Sequence, residues 1–281
     1  MEQYLKSIKV GFIGGGNMAS AIGAGLIHKG ILNPDNVWVS GRTDRMHGFW
    51  KDLGTHPTLD NDDVVINCDI IFLTVKPLML DDAVTTIGRK VTHKNKLFIS
   101  VLAGVSLETL HTKLSAVTLS PRIIRSMPNT PMMVGEGVTV YCSNNAEPKD
   151  MELVDTLFSY IGMSQSVPES LINAIGGLSG CGPAFAYLII EALADGGVRM
   201  GVPRPLATKF AAQVLVGAGK MVIETGRHPG QLKDEVCSPA GTSIAGVHAM
   251  EAGGVRGSMM NAVEAAVNRS NELTSLSSLK K

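Results

Sequence analysis

The hexapeptide Gly14-Gly15-Gly16-Asn17-Met18-Ala19 leaves this chain least choice. It follows directly on the apolar run Ile8-Lys9-Val10-Gly11-Phe12-Ile13 and opens a helical pattern over 17–29. A strand, a G-x-G-x-x-A turn and a helix in register commit the segment to a βα unit. Gly14 makes the tight turn, and Gly16 lets backbone N–H groups approach a pyrophosphate. Ala19 permits close packing of helix on strand, while the helix start adds partial positive charge. Gly14, Gly16, Asn17, Met18 and Ala19 are therefore expected to bind a dinucleotide.

The next apolar run, Val37-Trp38-Val39-Ser40, continues into Gly41-Arg42-Thr43 without the acid that usually bonds the ribose hydroxyls of NAD. Ser40, Arg42 and Thr43 offer a guanidinium and two hydroxyls where a ribose 2′-phosphate would sit. That favours NADPH and leaves NADH possible; the alternative makes Arg42 a solvated loop charge. Near-continuous apolar runs at 69–75 and 96–101 fit strands covered on both faces by helices, and further strands are expected at 122–127 and 138–142. Alternation of such runs with helical patterns, including one at 43–53, specifies βαβ units and a parallel sheet.

Ligands of open parallel sheets bind outside the carboxyl ends of the strands. This makes Val75, Lys76, Pro77, Ala103, Gly104 and Asn129 candidate cofactor contacts, with Lys76 read either so or as a surface lysine. Asn129, in a turn bounded by Pro128 and Pro131, offers an amide to orient the nicotinamide or the substrate.

After about residue 167 the texture becomes Ala-, Gly- and Leu-rich with a 3.6-residue period, notably at 183–200, 203–225 and 239–252, so the second part is expected to be all helical. Pro183, Pro203 and Pro239 each suit a first helical turn. Gly196, Gly197, Gly217 and Gly219 lower helix stability and point to close helix–helix or subunit contact. The division is a doubly wound parallel-sheet dinucleotide-binding domain at 1–167 and a helical domain at 168–281, ending in a frayed polar tail from Thr274. Two small-residue loops stand out in it. One, Gly176 to Pro183, opens a long helix and contains Ser179 and Gly180. The other, Ser238-Pro239-Ala240-Gly241-Thr242-Ser243-Ile244, clusters three hydroxyls at a helix start and forms a natural receptor for a carboxylate; the alternative is ordinary N-capping by Ser238.

Lys+Arg and Asp+Glu balance at 25 each with 18% charged residues, which disfavours a nucleic-acid partner. Cys68, Cys142, Cys181 and Cys237 are too scattered for a zinc ribbon or a disulfide framework, and no His spacing suggests a metal. Cys181 and Cys237 lack a nearby base, and the helical Glu191, Asp195, Glu224 and Glu264 suggest no acid–base pair. With neither a leader pattern nor about 18 uninterrupted apolar residues, the chain reads as soluble, without a membrane partner, and cytoplasmic. Two rival readings are a hydroxy-acid dehydrogenase using a helical Lys209 or Lys220, and a non-enzymatic NADPH-binding sensor.

From residue 8 to residue 273 the chain resembles the Δ1-pyrroline-5-carboxylate reductases. The resemblance rests on Leu232-Lys233-Asp234-Glu235-Val236-Cys237-Ser238-Pro239-Ala240-Gly241-Thr242-Ser243-Ile244, on the preceding turn His228-Pro229-Gly230-Gln231, and on Thr74 to Pro77, Met127 to Pro131 and Leu178 to Pro183. It departs from the family at Ala240, where glycine is usual, and at Ser243, which stands for a threonine hydroxyl that bonds the substrate nitrogen. The resemblance implies hydride transfer from NAD(P)H to the imine carbon of 1-pyrroline-5-carboxylate, giving L-proline, the last step of proline biosynthesis. It implies substrate contacts at Ser179, Gly180, Ser238, Pro239, Ala240, Gly241, Thr242 and Ser243, with the hydroxyl of Ser243 or Thr242 on the ring nitrogen as the catalytic contact. It also implies a helical domain that interlocks with a second copy, with dimers gathered into a ring such as a decamer.

Overall fold

The computed structural model describes residues 2–87 and 96–278. In chain order its first elements are α1 (Glu2–Ser7), β1 (Val10–Ile13), α2 (Asn17–His28), β2 (Val37–Ser40), α3 (His47–Asp52), β3 (His56–Thr58), α4 (Asn61–Asn67), β4 (Ile70–Leu73), α5 (Leu80–Thr85), β5 (Leu97–Ser100) and α6 (Leu107–Leu114). There follow β6 (Arg122–Met127), β7 (Gly137–Cys142), α7 (Pro148–Ser159), β8 (Gly162–Ser166) and α8 (Glu169–Ile175). The strands form a sheet of order β3-β2-β1-β4-β5-β6-β7-β8. Residues alternate between its two faces: Val10, Phe12, Ile70, Phe72, Leu97 and Ile99 enter one apolar cluster, while Ile13, Ile71, Leu73, Phe98 and Ile123 enter another. Both faces are covered, which is why these strands read as continuous apolar runs.

Within the sheet and the connections between its strands, three features depart from the sequence expectation. Strand β7 pairs antiparallel with β6, Arg125 opposite Cys142, so the sheet is parallel from β3 to β6 and reverses once. Strands β3 and β8 are additional; the first has Pro57 at its centre and pairs only with β2, and the second is largely exposed and polar. The helical pattern at 43–53 resolves into a 3₁₀ turn, Asp44–Met46, followed by α3.

The chain divides into two compact units, one running to Cys181 and regaining the chain at Ala266, the other Gly182–Ala265. These units divide by packing at 181/182, Ile172 of α8 being fully buried in the core of the first unit. The second unit holds α9 (Gly182–Arg199), α10 (Arg204–Thr225), α11 (Pro229–Val236), α12 (Thr242–Ala252) and the start of α13 (Val255–Ser278), whose end belongs to the first unit. The segment from Gly176 to Gly180 is one turn of π-helix joining α8 to α9 rather than a loop. Pro183 lies in the first turn of α9, but Pro203 is the N-cap of α10 and Pro239 lies before α12.

The expected tail from Thr274 is helical as far as Ser278, and residues 279–281 lie outside the described ones. Asn173 Nδ2 donates to Thr274 Oγ1 at 3.2 Å and to Asn271 Oδ1 at 3.0 Å. Asn173 Oδ1 in turn accepts from the buried Arg125, whose other terminal nitrogen bonds Glu169 at 2.8 Å. A chain of polar groups therefore ties α8 and the end of α13 to β6.

In the second unit only Ala194, Ala207 and Ala211 of the apolar residues are buried. A Cβ on Gly197 would touch that of Ala207 at 3.4 Å, so this glycine serves the contact of α9 with α10, whereas Cβ atoms on Gly196, Gly217 and Gly219 would meet nothing within 4 Å. The helical stretches Glu169–Arg199 and Arg204–Thr225 are long and apolar enough to cross a membrane by length and composition, although charged residues interrupt both.

Candidate functional site

The first unit builds a cradle around the glycine turn. Gly14 has φ +104°, and a Cβ there would lie 2.8 Å from the backbone nitrogen of Val75, so only glycine fits. The N–H groups of Gly14 and Gly15 both donate to the carbonyl of Ser40, at 3.0 and 2.9 Å. Thr74 Oγ1 donates to the carbonyls of Ile13 and Gly14 at 3.0 and 2.8 Å. The fully buried Trp50 donates its indole N–H to the carbonyl of Gly15 at 3.0 Å and stacks on Phe12. The N–H groups of Gly14 and Gly15 and the carbonyls of Ile13, Gly14 and Gly15 are thus held from behind, by β2, the end of β4 and α3.

The front is open. A Cβ on Gly16 would meet no atom within 4 Å, and Gly16 caps α2 without a side-chain hydrogen bond. The N–H groups of Asn17, Met18 and Ala19 have no acceptor among the described residues, and no acid stands in the first turn. Such a set of donors with the positive end of a helix suits a pyrophosphate. Ala19 is fully buried beneath it. Beyond β2, Arg42 and Thr43 are exposed, and neither they nor Arg45 form an ion pair or side-chain hydrogen bond among the described residues. This chemistry fits a dinucleotide with an additional phosphate.

Three of the expected cofactor contacts have other work. The hydroxyl of Ser40 is buried and donates to Asn61 Oδ1 at 2.6 Å, so its service to the turn is through its backbone carbonyl. Asn129 is buried, its amide donating to the carbonyl of Ser179 at 3.0 Å while its oxygen accepts from Val138 N–H at 2.8 Å. It holds the π turn and β7 to the end of β6, with one further amide N–H beyond these two bonds. Gly104 is buried with φ +72°, and a Cβ there would lie 3.1 Å from that of Leu273, so it admits α13. Lys76 and Ala103 are exposed, Val75 half-buried.

In the π turn the Ser179 hydroxyl donates to the carbonyl of Ile175 at 3.0 Å. Met127 packs beneath Gly176, within 3.3 Å of where a Cβ would be, and beneath Gly180. The serine hydroxyl is thereby engaged, and the turn presents backbone.

The second unit holds the other expected cluster. Ser238-Pro239-Ala240-Gly241 is a β-turn closed by Gly241 N–H donating to the Ser238 carbonyl at 3.0 Å. Gly241 then caps α12 with no side-chain hydrogen bond, so Ser238 is not the N-cap. A Cβ on Gly241 would run into the Ser238 hydroxyl, so that hydroxyl lies beside the helix start. The N–H groups of Thr242, Ser243 and Ile244 and the hydroxyls of Ser238, Thr242 and Ser243 have no partner among the described residues. Donors so arranged suit a carboxylate together with one further polar atom. Asp195, by contrast, is engaged with Arg204 at 2.6 Å.

Comparison with known proteins accounts for both halves. The family model for pyrroline-5-carboxylate reductase dimerisation matches 169–273, and the model for coenzyme F420-dependent NADP oxidoreductase matches 9–104. Pyrroline-5-carboxylate reductase 2 of Rattus norvegicus is 42% identical over 98% of this chain and 86% of its own length. The pyrroline-5-carboxylate reductase of Glycine max is 43% identical over 96% and 97%. Among solved structures, the NADP-bound pyrroline carboxylate reductase of Plasmodium falciparum superposes with a TM-score of 0.87 at 32% identity, covering 96% of this chain and 99% of that one.

Proposed function

The chain belongs to the pyrroline-5-carboxylate reductase family, and from that premise we propose which of its residues carry the reaction. It is an NADP-dependent oxidoreductase acting on a C=N bond. It reduces 1-pyrroline-5-carboxylate to L-proline, the last step of proline biosynthesis. When bound, NADPH supplies the hydride that adds to the imine carbon.

On the cofactor side, the N–H groups of Asn17, Met18 and Ala19 hold the pyrophosphate across the open face of Gly16, and Arg42 with Thr43 holds the 2′-phosphate. Val75, Lys76, Pro77 and Ala103 line the remainder. Ser40, Gly104 and Asn129 act through the backbone they position.

On the substrate side, Ser238 and the N–H groups at the start of α12 hold the carboxylate, along the wall made by Pro239, Ala240 and Gly241. The protonated ring nitrogen donates to the hydroxyl oxygen of Ser243 or Thr242. That bond keeps the proton on nitrogen, where it makes the imine carbon electrophilic. Ser179 and Gly180 contribute backbone. Catalysis by this chain is then mainly the fixing of two reactants in one orientation. The observation that carries the reading is the group of three hydroxyls, without a partner among the described residues, around uncapped helix N–H groups at Ser238, Thr242 and Ser243.

The helical part serves homo-oligomerisation. We take residues 168–281 as the substrate-binding and dimerisation part, 1–167 as the cofactor-binding part, and the exposed apolar residues of α9 and α10 as surfaces covered by a second copy rather than by lipid. Dimers interlocked by their helices, a larger ring such as a decamer, a cytoplasmic setting and no nucleic-acid partner complete the proposal.

The test is oxidation of NADPH and of NADH in the presence of 1-pyrroline-5-carboxylate, by the unchanged protein and by Arg42→Ala. Turnover with NADPH preferred, and a preference that falls about tenfold in Arg42→Ala, is expected. Binding of NADPH without turnover would overturn the reading.

A further inference from the structure

The turn ahead of α12 contains a strained residue. Pro239, its first central residue, is confined to negative φ, while Ala240, the second, has φ +59°; with the closing hydrogen bond from Gly241 to Ser238, this is a type II turn. Glycine takes the left-handed conformation there at no steric cost, whereas the Cβ of alanine crowds the following carbonyl oxygen. Among the described non-glycine residues only Ser120 shares a positive φ.

A competing conformation is close at hand. A type I turn keeps the same closing hydrogen bond, accepts proline at its first central position and glycine at its last, and needs no positive φ. The two forms differ by turning over the peptide between Pro239 and Ala240, which reverses the direction of the Ala240 N–H. That group is next to the uncapped start of α12, where a ligand anion would meet it. The turn is exposed on three of its four residues, so little packing opposes the exchange.

We infer that Ala240 makes this turn a two-state element and so sets substrate affinity: type II binds the carboxylate, type I does not. The inference rests on the reading of Ser238 to Ser243 as the carboxylate receptor. An alanine disfavours the left-handed conformation by a factor on the order of ten, and affinity falls by the fraction of chains outside the binding form. Once substrate is bound the turn is already in its binding form. The effect therefore appears in KM and spares kcat.

The experiment compares steady-state kinetics of the unchanged protein with Ala240→Gly, Ala240→Asn and Ala240→Val at saturating NADPH. For Ala240→Gly we expect KM for 1-pyrroline-5-carboxylate to fall by about three- to tenfold with kcat held within about twofold. The competitive inhibition constant of L-proline should fall by the same factor, with the dissociation constant of NADPH unmoved. Asparagine, which tolerates the left-handed conformation, should lie between alanine and glycine, and valine should raise KM. A KM for Ala240→Gly equal to or above that of the unchanged protein overturns the inference, as does an equal fall in the NADPH constant. Absence of turnover in the unchanged protein would instead overturn the reductase reading, and this inference with it.

Discussion

The two units of this chain spend their apolar residues in opposite ways. In the first, Phe12, Trp50, Phe72, Phe98 and Phe158 are all fully buried, and the strands carry cores on both faces. In the second, only three alanines are buried, while Tyr187, Leu188, Phe210, Val214 and Ile223 are at least half exposed. The first unit completes a large aromatic and aliphatic core within one chain; the second does not. Large contiguous apolar exposure marks an interface, which agrees with the dimerisation match over this region. Polar groups follow the same contrast. Around the glycine turn, Ser40, Thr74 and Trp50 are all engaged within the protein, whereas the hydroxyls before and within the first turn of α12 have no partner among the described residues. In the proposed division of labour, the preformed cradle takes the cofactor and the receptor with open valences takes the substrate.

The largest effect should come from charging the unfinished surface. Phe210→Glu on α10 would have to bury a carboxylate against a second copy. It is expected to give single-chain mass by light scattering and to cut turnover by about a hundredfold or more, with NADPH binding kept. Retention of the oligomer would break the contrast between the units. Next is Arg125→Ala in the finished unit. It strips Glu169 and Asn173 of their buried partner and should cost about 3 kcal/mol in urea unfolding, releasing the end of α13. Trp50→Phe keeps the stack on Phe12 but leaves the Gly15 carbonyl without its donor. It should cost about 1 kcal/mol of stability and weaken NADPH binding severalfold.

The smallest effect concerns thiols. Burial pushes Cys68 up to about 12 and Cys142 up to about 11, so folding favours their protonated forms. The stabilisation is complete below the ordinary thiol value near 9 and is lost as pH rises from there through about 11 to 12, because the unfolded chain releases those protons first. Denaturation midpoints measured across that range should fall. A thiol reagent at neutral pH should label the exposed Cys181 and the half-exposed Cys237, leaving Cys68 and Cys142 until the protein unfolds.

Much of this was legible in the amino-acid order. The glycine turn, the apolar strands and the long helices are local patterns, and local patterns declare themselves. The reversal at β7 was hidden, because an antiparallel partner leaves the same apolar residues as a parallel one. Strand β3 was hidden by Pro57, which a strand tolerates at an edge. The polar β8 offered no alternation to read. Within the site, Gly14 and Ala19 could be read from spacing alone. Ser40 and Asn129 could not, since the groups that occupy them, Asn61 and Ser179, are distant in sequence. Trp50 gave no signal beyond its size, and Ala240 acquires its meaning only from its φ.

The central claim is that the glycine turn serves only the cofactor and the start of α12 only the substrate. Gly16→Ala and Ser243→Ala, measured side by side with Thr242→Ala for the NADPH dissociation constant and for KM and kcat with 1-pyrroline-5-carboxylate, test it most directly. A methyl on Gly16 enters open space in the protein, so folding should be unaffected while the NADPH constant rises about tenfold and KM for the imine holds. Ser243→Ala or Thr242→Ala should do the reverse, lowering kcat/KM by about a hundredfold with the NADPH constant unmoved. If loss of either hydroxyl weakened NADPH as much as substrate, or if Gly16→Ala impaired only the imine, the division of labour would be wrong.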